Sequence, residues 1–276
     1  MNCKHSMNLS NVVEIINSNL SEPQASLLSG MLFGVKNEIP KDFYDALIVT
    51  GVLHVVSLSG MNISIITRVL FEWTSIVLGK LAGTILTILG IIAFVLFVGP
   101  SPTIVRASIM GLITIAGVYF GRKTFPLLSL FLAALTMFLI DKNIVSNLSF
   151  QLSFLSTLGI ILFAREKLKN KARENIFGFI KKALFSDLRV TLSAQLFTLP
   201  VIFYNFKRIS LISPLANIFT GWLVPPITYL GFFAIFISLI SKTLAFFAFL
   251  IVWVPLTAFI CLVNLFAQVP LASINF

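Results

Sequence analysis

The chain has 276 residues, of which 58% are hydrophobic and only 11% charged, with a formal net charge of +10 and a mean hydropathy of +1.00. A soluble domain carries about 25% charged residues, so this composition cannot cover a globule in water. It excludes cytosolic enzymes, disordered chains and secreted disulfide scaffolds. The apolar residues come in runs of about 16 to 23, the length of an α-helix that crosses a bilayer. The composition therefore predicts a multi-pass membrane protein.

Residues 1–46 are polar and mixed in character and contain Pro23 and Pro40. They predict short helices and turns outside the bilayer, and no stretch in 1–19 is apolar enough for a signal peptide. We expect the first spanning helix to act as its own insertion signal. The predicted domains are a short extracytoplasmic segment over 1–46 and a membrane domain over 47–276.

The apolar runs predict an all-α, polytopic membrane helix bundle with about 8 to 9 spanning or re-entrant helices. The spans are expected near 47–70, 76–98, 103–120, 125–140, 148–164 and 190–206, with two or three more between 210 and 268. Prolines interrupt the later runs. A proline inside a helix removes a backbone donor and leaves a carbonyl without its partner. Pro200 and Pro225 are therefore predicted structural helix breaks.

The segment 165–189 holds eight basic residues against Glu166, Glu174 and Asp187. The positive-inside rule places this loop in the cytoplasm, which puts the N-terminus outside. On this count Lys207 and Arg208 fall outside, a conflict that a re-entrant 190–206 segment would remove. Apolar residues from Ile176 to Leu188 share one helical face. That face predicts a helix lying on anionic lipid or, alternatively, a docking surface for a nucleic acid strand or a motor protein.

Polar residues are costly in hydrocarbon, so those in apolar runs indicate a functional path or a helix contact. The first predicted span holds His54, Ser57, Ser59, Gly60 and Asn62. On one continuous helix, His54, Ser57, Met61 and Arg68 would form a single stripe facing protein or water. Small residues in this span also suit close helix packing, and a membrane histidine also suits a bond to a neighbouring helix. Both interpretations stay open.

Arg106 lies one turn into a helix that Pro102 is suited to begin. It would either extend to lipid headgroups or, with the helix N-terminus, attract an anion such as phosphate. Gln151, Gln195 and Asn217 are further amides in apolar runs. Each would either bond between helices or line a polar path.

The residues argue against an enzyme. Ser59 is five residues after His54, about 140° away on a helix, too far round for a nucleophile and its base. The two histidines have no acidic partner in a confidently predicted span, so no metal site or cofactor is expected. No Walker-type phosphate loop is present. Cys3 and Cys261 indicate neither a disulfide framework nor a thiolate metal site.

Five ordered motifs carry a resemblance to a known family. They are Thr50 to Asn62 (TGVLHVVSLSGMN), Gly99 to Met110 (GPSPTIVRASIM), Leu148 to Ile160 (LSFQLSFLSTLGI), Ala194 to Pro200 (AQLFTLP) and Ser210 to Asn217 (SLISPLAN), followed by Pro225. In this order they resemble the membrane domain of the ComEC competence family, from about residue 25 to the C-terminus.

The resemblance implies an inner-membrane channel that passes one strand of DNA into the cytoplasm during natural transformation. The residues it carries over are His54, Ser59, Gly60, Arg106, Gln151, Gln195, Pro200 and Asn217. Asn62 stands where the family often has a second histidine, so we expect no mechanism that needs a histidine pair. Fuller members also carry an OB-like domain and a metallo-β-lactamase-like domain, neither of which is found in this sequence. We therefore expect no DNA cleavage by this chain alone.

The expected partners are single-stranded DNA, membrane lipid, a second copy of the chain in a homodimer, an extracytoplasmic DNA receptor and a cytoplasmic ATP-driven motor. The proton gradient is an alternative energy source. Two rival functions stay open. One is a secondary transporter of a small solute, for which broken helices near the membrane midplane would serve equally well. The other is a non-conducting scaffold.

Overall fold

The computed structural model describes residues 9–35, 39–164, 176–269 and 273–275. Within these ranges the chain is a helical bundle, which confirms the all-α class. Its helices are α1 (Leu9–Asn19), α2 (Gln24–Phe33), α3 (Lys41–Thr50), α4 (Leu53–Val56), α5 (Gly60–Val98), α6 (Pro102–Tyr119), α7 (Pro126–Ile140), α8 (Leu148–Phe163), α9 (Ile176–Phe206), α10 (Ser213–Gly221), α11 (Val224–Ser238) and α12 (Lys242–Ala267). A short 3-10 helix covers Lys142–Ser146. The strands β1 (Arg208–Ser210) and β2 (Ser273–Asn275) pair antiparallel.

Helix α5 is a hairpin of two antiparallel limbs. Gly79 has φ 82° and ψ 166° and separates a first limb, 60–78, from a second limb, 80–98. The two limbs pack against each other. Near the turn, Thr74 Oγ1 of the first limb donates to the carbonyl of Gly83 of the second at 3.3 Å. Further from the turn, Gly90 of the second limb lies against Leu70 of the first. The two limbs correspond to the first two predicted spans, although the first limb begins at Gly60 instead of residue 47.

The predicted continuous helix over 47–70 is wrong. Helix α3 ends at Thr50, where Gly51 adopts the left-handed conformation with φ 70°. A four-residue helix, α4, follows, and Ser57 is extended. Ser59 then caps α5 by accepting a hydrogen bond from the backbone N–H of Asn62. Because these local signals divide the apolar run, the predicted stripe of His54, Ser57, Met61 and Arg68 does not form on one helix.

Helices α8 and α9 pack antiparallel along their length. Gly159 allows the contact, because a Cβ there would overlap the backbone of Ser193. At the C-terminus of α8, the carbonyl of Phe163 accepts a hydrogen bond from Arg189 Nε of α9 at 2.7 Å. Helix α9 continues through Pro200 to Phe206, so Pro200 does not break the helix and no separate re-entrant 190–206 segment is seen. The first part of the basic loop, 165–175, lies outside the described residues, and 176–189 belongs to α9.

The N-terminal helices belong to the core of the bundle. Every residue of α2 is buried, and the same hydrophobic cluster includes residues of α1, α11 and α12. Gly231 of α11 makes this packing possible, because a Cβ there would meet Leu28 and Leu32 at 2.8 and 2.9 Å. Short helices are present in the described part of 1–46, and they share a hydrophobic core with α11 and α12.

Three described helices, α5, α6 and α12, are long and apolar enough to cross a membrane, and α10 with α11 adds a fourth candidate. The last two are bent by 43° relative to each other, and Pro225 lies at the first turn of α11 where predicted. Large hydrophobic side chains are exposed along α5, α7 and α12. An apolar exterior of this extent is typical of a protein surrounded by lipid.

The antiparallel order of α5 to α9 gives the bundle two ends. One end holds the residues that cap three helices, and we call it the cap end. There Ser59 caps α5, Ser101 caps α6 and Asn147 caps α8, and α9 terminates at the same end. The loop end is the one with Gly79, Gly121 and Ala164. The basic segment that follows Ala164 in the sequence begins at the loop end, so the predicted orientation makes the cap end the extracytoplasmic one.

Candidate functional site

Arg106 is a buried cation near the cap end of the bundle. It lies on α6, which begins where Ser101 Oγ accepts from the N–H of Ile104, and its exposed fraction is 7%. Its Nε donates to Ser153 Oγ on α8 at 2.8 Å, and Nη1 approaches the sulfur of Met110 at 3.4 Å. Within the described ranges, Arg106 makes no ion pair with a carboxylate. Such a charge is costly to bury unless an anion accompanies it.

The guanidinium of Arg106 lies against the first residue of α5. A Cβ on Gly60 would stand 3.2 Å from Arg106 Nη2, so the absence of a side chain at residue 60 lets the cation approach the helix N-terminus. The first N–H groups of a helix have no intrahelical acceptor and carry a partial positive charge. A cation and a helix N-terminus repel each other mildly, but together they attract an anion.

A second polar cluster surrounds Ser213, the first residue of α10. Ser213 Oγ accepts hydrogen bonds from Gln195 Nε2 at 2.8 Å and from Asn217 Nδ2 at 3.2 Å. The Oδ1 atom of Asn217 is buried and has no hydrogen-bond partner among the described residues. An acceptor of this kind is expensive to leave unsatisfied, so it indicates a place for water or a polar ligand.

Gly51 and His54 join this second cluster. A Cβ on Gly51 would lie 2.7 Å from Ser213 Oγ, and His54 Nδ1 lies 3.1 Å from the Gly51 carbonyl oxygen. Because a carbonyl only accepts, Nδ1 must carry the proton, which leaves Nε2 of the neutral ring as an acceptor. The His54 side chain is exposed.

The segment 51–60 connects the two clusters. It carries His54 at one end, the half-buried Ser57 and Ser59, and Gly60 at the other end. A ten-residue segment reaches at most about 33–36 Å when extended, and α4 shortens this one. The structure thus places four of the nine predicted site residues on one segment. Arg106 lies against Gly60 at its end, and Ser213, which bonds Gln195 and Asn217, lies against Gly51 at its start.

Asn62 and Gln151 lie outside this arrangement. Asn62 is fully buried, with Nδ2 donating to the Met31 carbonyl at 2.6 Å and Oδ1 accepting from Thr228 Oγ1 at 3.3 Å. Its amide therefore ties α5 to α2 and α11. Gln151 lies in a separate groove between α8 and α9, where its Nε2 donates to the Val145 carbonyl at 2.8 Å.

Sequence reasoning did not single out Ser153, Ser213 or Thr228. Ser153 and Ser213 hold the side chains of Arg106 and Gln195, respectively. Both serines lie in the recognised motifs, and the signal that could have found them is a small hydroxyl in an apolar run. In the part of the chain that the structure describes, no group of three or more histidine, cysteine or acidic side chains could hold a metal ion.

The competence protein family matches residues 31–276. ComE operon protein 3 of Bacillus subtilis (strain 168) is 26% identical over 204 residues, which cover 73% of this chain and 25% of that protein. The chain thus matches about a quarter of the length of this relative. No solved structure matches the chain. The family match extends over most of the sequence, from α2 to the C-terminus, and the chain belongs to the competence protein family.

Proposed function

We propose that this chain forms the membrane part of a channel that passes single-stranded DNA into the cytoplasm during natural transformation. The observation that carries the proposal is Arg106, a buried guanidinium at the N-terminus of α5 with no carboxylate partner among the described residues. Membership of the competence family supports a role in DNA uptake.

The chemistry of the path follows from the charge of its cargo. Each nucleotide brings a phosphate that hydrocarbon does not accept, so the path must contain water and donors. Passing phosphates would supply the anion that Arg106 lacks. A single buried cation also suits transport better than a row of them, because many fixed cations would hold the strand by their combined attraction.

The second cluster supplies neutral contacts in this proposal. The amides of Gln195 and Asn217 and the imidazole of His54 donate and accept hydrogen bonds without a fixed charge. Such groups would replace part of the hydration of phosphate and bases while letting the strand move on. His54, Ser57 and Ser59 would line the path between the two clusters.

Partners complete the proposed channel. The sequence carries no Walker-type loop, so an ATP-driven motor in the cytoplasm or the proton gradient would supply the energy. An extracytoplasmic receptor would deliver DNA to the cap end. We propose a homodimer because a bundle of this size leaves little room for a strand within one subunit.

Uptake of labelled DNA by an Arg106→Gln variant tests the proposal. Hydrogen bonds to a charged group contribute about 1.5–3 kcal/mol, so we expect uptake to fall about tenfold or more. Arg68→Gln is the matched control, because Arg68 is exposed and already paired with Glu72 at 2.7 Å. Full uptake by the Arg106→Gln variant, with the protein folded and present at normal levels, would contradict the proposal.

A secondary transporter of a small solute is the alternative function. The 43° bend between α10 and α11 favours it, because many transporters bind their substrates at broken helices. Thermal unfolding separates the two. Stabilisation by a metabolite and none by a single-stranded oligonucleotide would support the transporter, and the reverse would support the DNA channel.

A further inference from the structure

A groove at the cap end lies apart from the two clusters described above. It has a volume of about 490 Å³ and opens between the first turn of α8 and the last turns of α9. Both polar and apolar side chains form its walls, which are Ser146, Leu148, Gln151, Pro200, Val201, Tyr204 and Asn205. A pocket of this size accommodates a drug-sized molecule or one to two nucleotides.

The groove offers flat surfaces beside fixed amides. The Tyr204 ring is 84% exposed, and the exposed ring of Pro200 lies one helical turn before it. Asn205 Nδ2 donates to the Val201 carbonyl at 2.8 Å, as Gln151 Nε2 does to Val145. These backbone bonds hold each amide in place, while its carbonyl oxygen and second N–H hydrogen are available to a ligand.

The groove is bordered by two exposed lysines and one exposed aspartate, Asp141, which leaves a small positive excess. Lys142 and Lys207 are exposed in the segments that border α8 and α9. The positive-inside rule disfavours basic residues on the extracytoplasmic side, to which the predicted orientation assigns this end. These lysines would attract a polyanion, which accounts for basic residues at an end where the orientation rule disfavours them.

We infer that this groove binds single-stranded nucleic acid by its bases, with one base stacked on Tyr204 and its edge bonded to Gln151 and Asn205. Aromatic stacking is tolerant of sequence because every base has a π-face, which suits a protein that accepts any strand. The inference rests on the proposed function, since it gives the DNA channel a contact site at its outer end. It differs from the Arg106 site in recognising bases instead of phosphates.

Binding of two fluorescent probes to the purified full chain in lipid nanodiscs tests the inference. One probe is a short oligothymidine, and the other is an abasic strand of the same length and charge. We expect Tyr204→Leu to weaken oligothymidine binding about 5- to 150-fold, the loss that corresponds to one stacked base. The abasic probe should bind weakly to the unaltered protein and equally weakly to the variant.

Three further variants sharpen the result. Tyr204→Trp should restore oligothymidine binding, because it retains an aromatic face. Tyr119→Leu should change nothing, because Tyr119 is likewise exposed but lies at the loop end. Lys207→Gln should weaken both probes alike and reduce the salt dependence by about 0.7 in log–log slope. Unchanged oligothymidine binding by a folded Tyr204→Leu protein would overturn the inference, as would equal losses for the two probes.

The two proposals fail separately. If Tyr204→Leu binds both probes normally while Arg106→Gln abolishes uptake, only the groove inference fails. If Tyr204→Leu loses base-dependent binding while Arg106→Gln retains full uptake, the groove inference stands and the Arg106 path fails.

Discussion

Individual buried polar residues in this protein fall into two kinds. Asn62 is fully buried with both ends of its amide bonded to the protein, so a passing ligand does not reach it. Arg106 and Asn217 retain an unpaired charge and an unpaired acceptor, respectively, among the described residues. The first kind stabilises the bundle, and the second kind suits contact with a substrate. Sequence alone cannot separate them, because both kinds are polar residues in apolar runs.

Asn62→Ala tests the structural kind. The change leaves the Met31 carbonyl and the Thr228 hydroxyl without their amide partner, and an unsatisfied buried group costs about 1–3 kcal/mol. We expect a fall of that size in the free energy of unfolding, measured by denaturation in detergent. Asn143→Ala is the control, since Asn143 is exposed. Unchanged stability of Asn62→Ala would show that the amide does not tie the three helices together.

At the level of the helices, the prediction succeeds where one helix follows one apolar run. The spans expected at 103–120, 125–140 and 148–164 agree closely with Pro102–Tyr119, Pro126–Ile140 and Leu148–Phe163. The first span fails because an apolar run is not sufficient for a continuous helix. Gly51 and Ser59 end one helix and begin another inside that run. This division takes His54 out of line with Arg68 and bonds it to Gly51, which lies against Ser213.

Pro200 illustrates a second limit. A proline was expected to break α9, but the helix continues through it. A membrane helix tolerates a proline when surrounding groups satisfy the backbone or packing holds the helix in place. The packing of α8 against α9 is a tertiary feature, so a sequence without its partner helix cannot reveal it.

The α5 hairpin depends on the backbone of Gly79. Its φ of 82° and ψ of 166° lie in a region that only glycine occupies readily, at a cost of about 1–3 kcal/mol for other residues. We expect Gly79→Ala to lower the free energy of unfolding by that amount, although no neighbour lies within 4 Å of the added Cβ. Denaturation of the purified protein in detergent would measure it.

Gly221→Ala is the matched control for this variant. Its Cβ would also meet open space within 4 Å, but residue 221 belongs to the helix α10, where alanine is favoured over glycine. Equal stability effects of the two substitutions would contradict the account of the Gly79 turn.

For the whole molecule, the proposed DNA contacts concentrate in one half of the bundle. Arg106 lies one turn from the start of α6, and both it and the Tyr204 groove are towards the cap end. The segment 51–60 joins Arg106 to the second cluster around Ser213. Helix α2 is fully buried and packs against α4, α11 and α12. Composition predicted a membrane bundle, and the motifs predicted its family. The burial of α2 could not be predicted in the same way, because its ten residues are too few to be recognised as a span.

Site-specific photocrosslinking during uptake tests the central claim most directly. A photoreactive side chain at Ser57 lies in the proposed path, and the same group at Leu250 lies on the exposed apolar surface of α12. We expect labelled DNA that is being internalised to form adducts with the Ser57 derivative and not with the Leu250 derivative. Normal internalisation with no adduct at Ser57, or equal adducts at both positions, would contradict a DNA path along the segment 51–60.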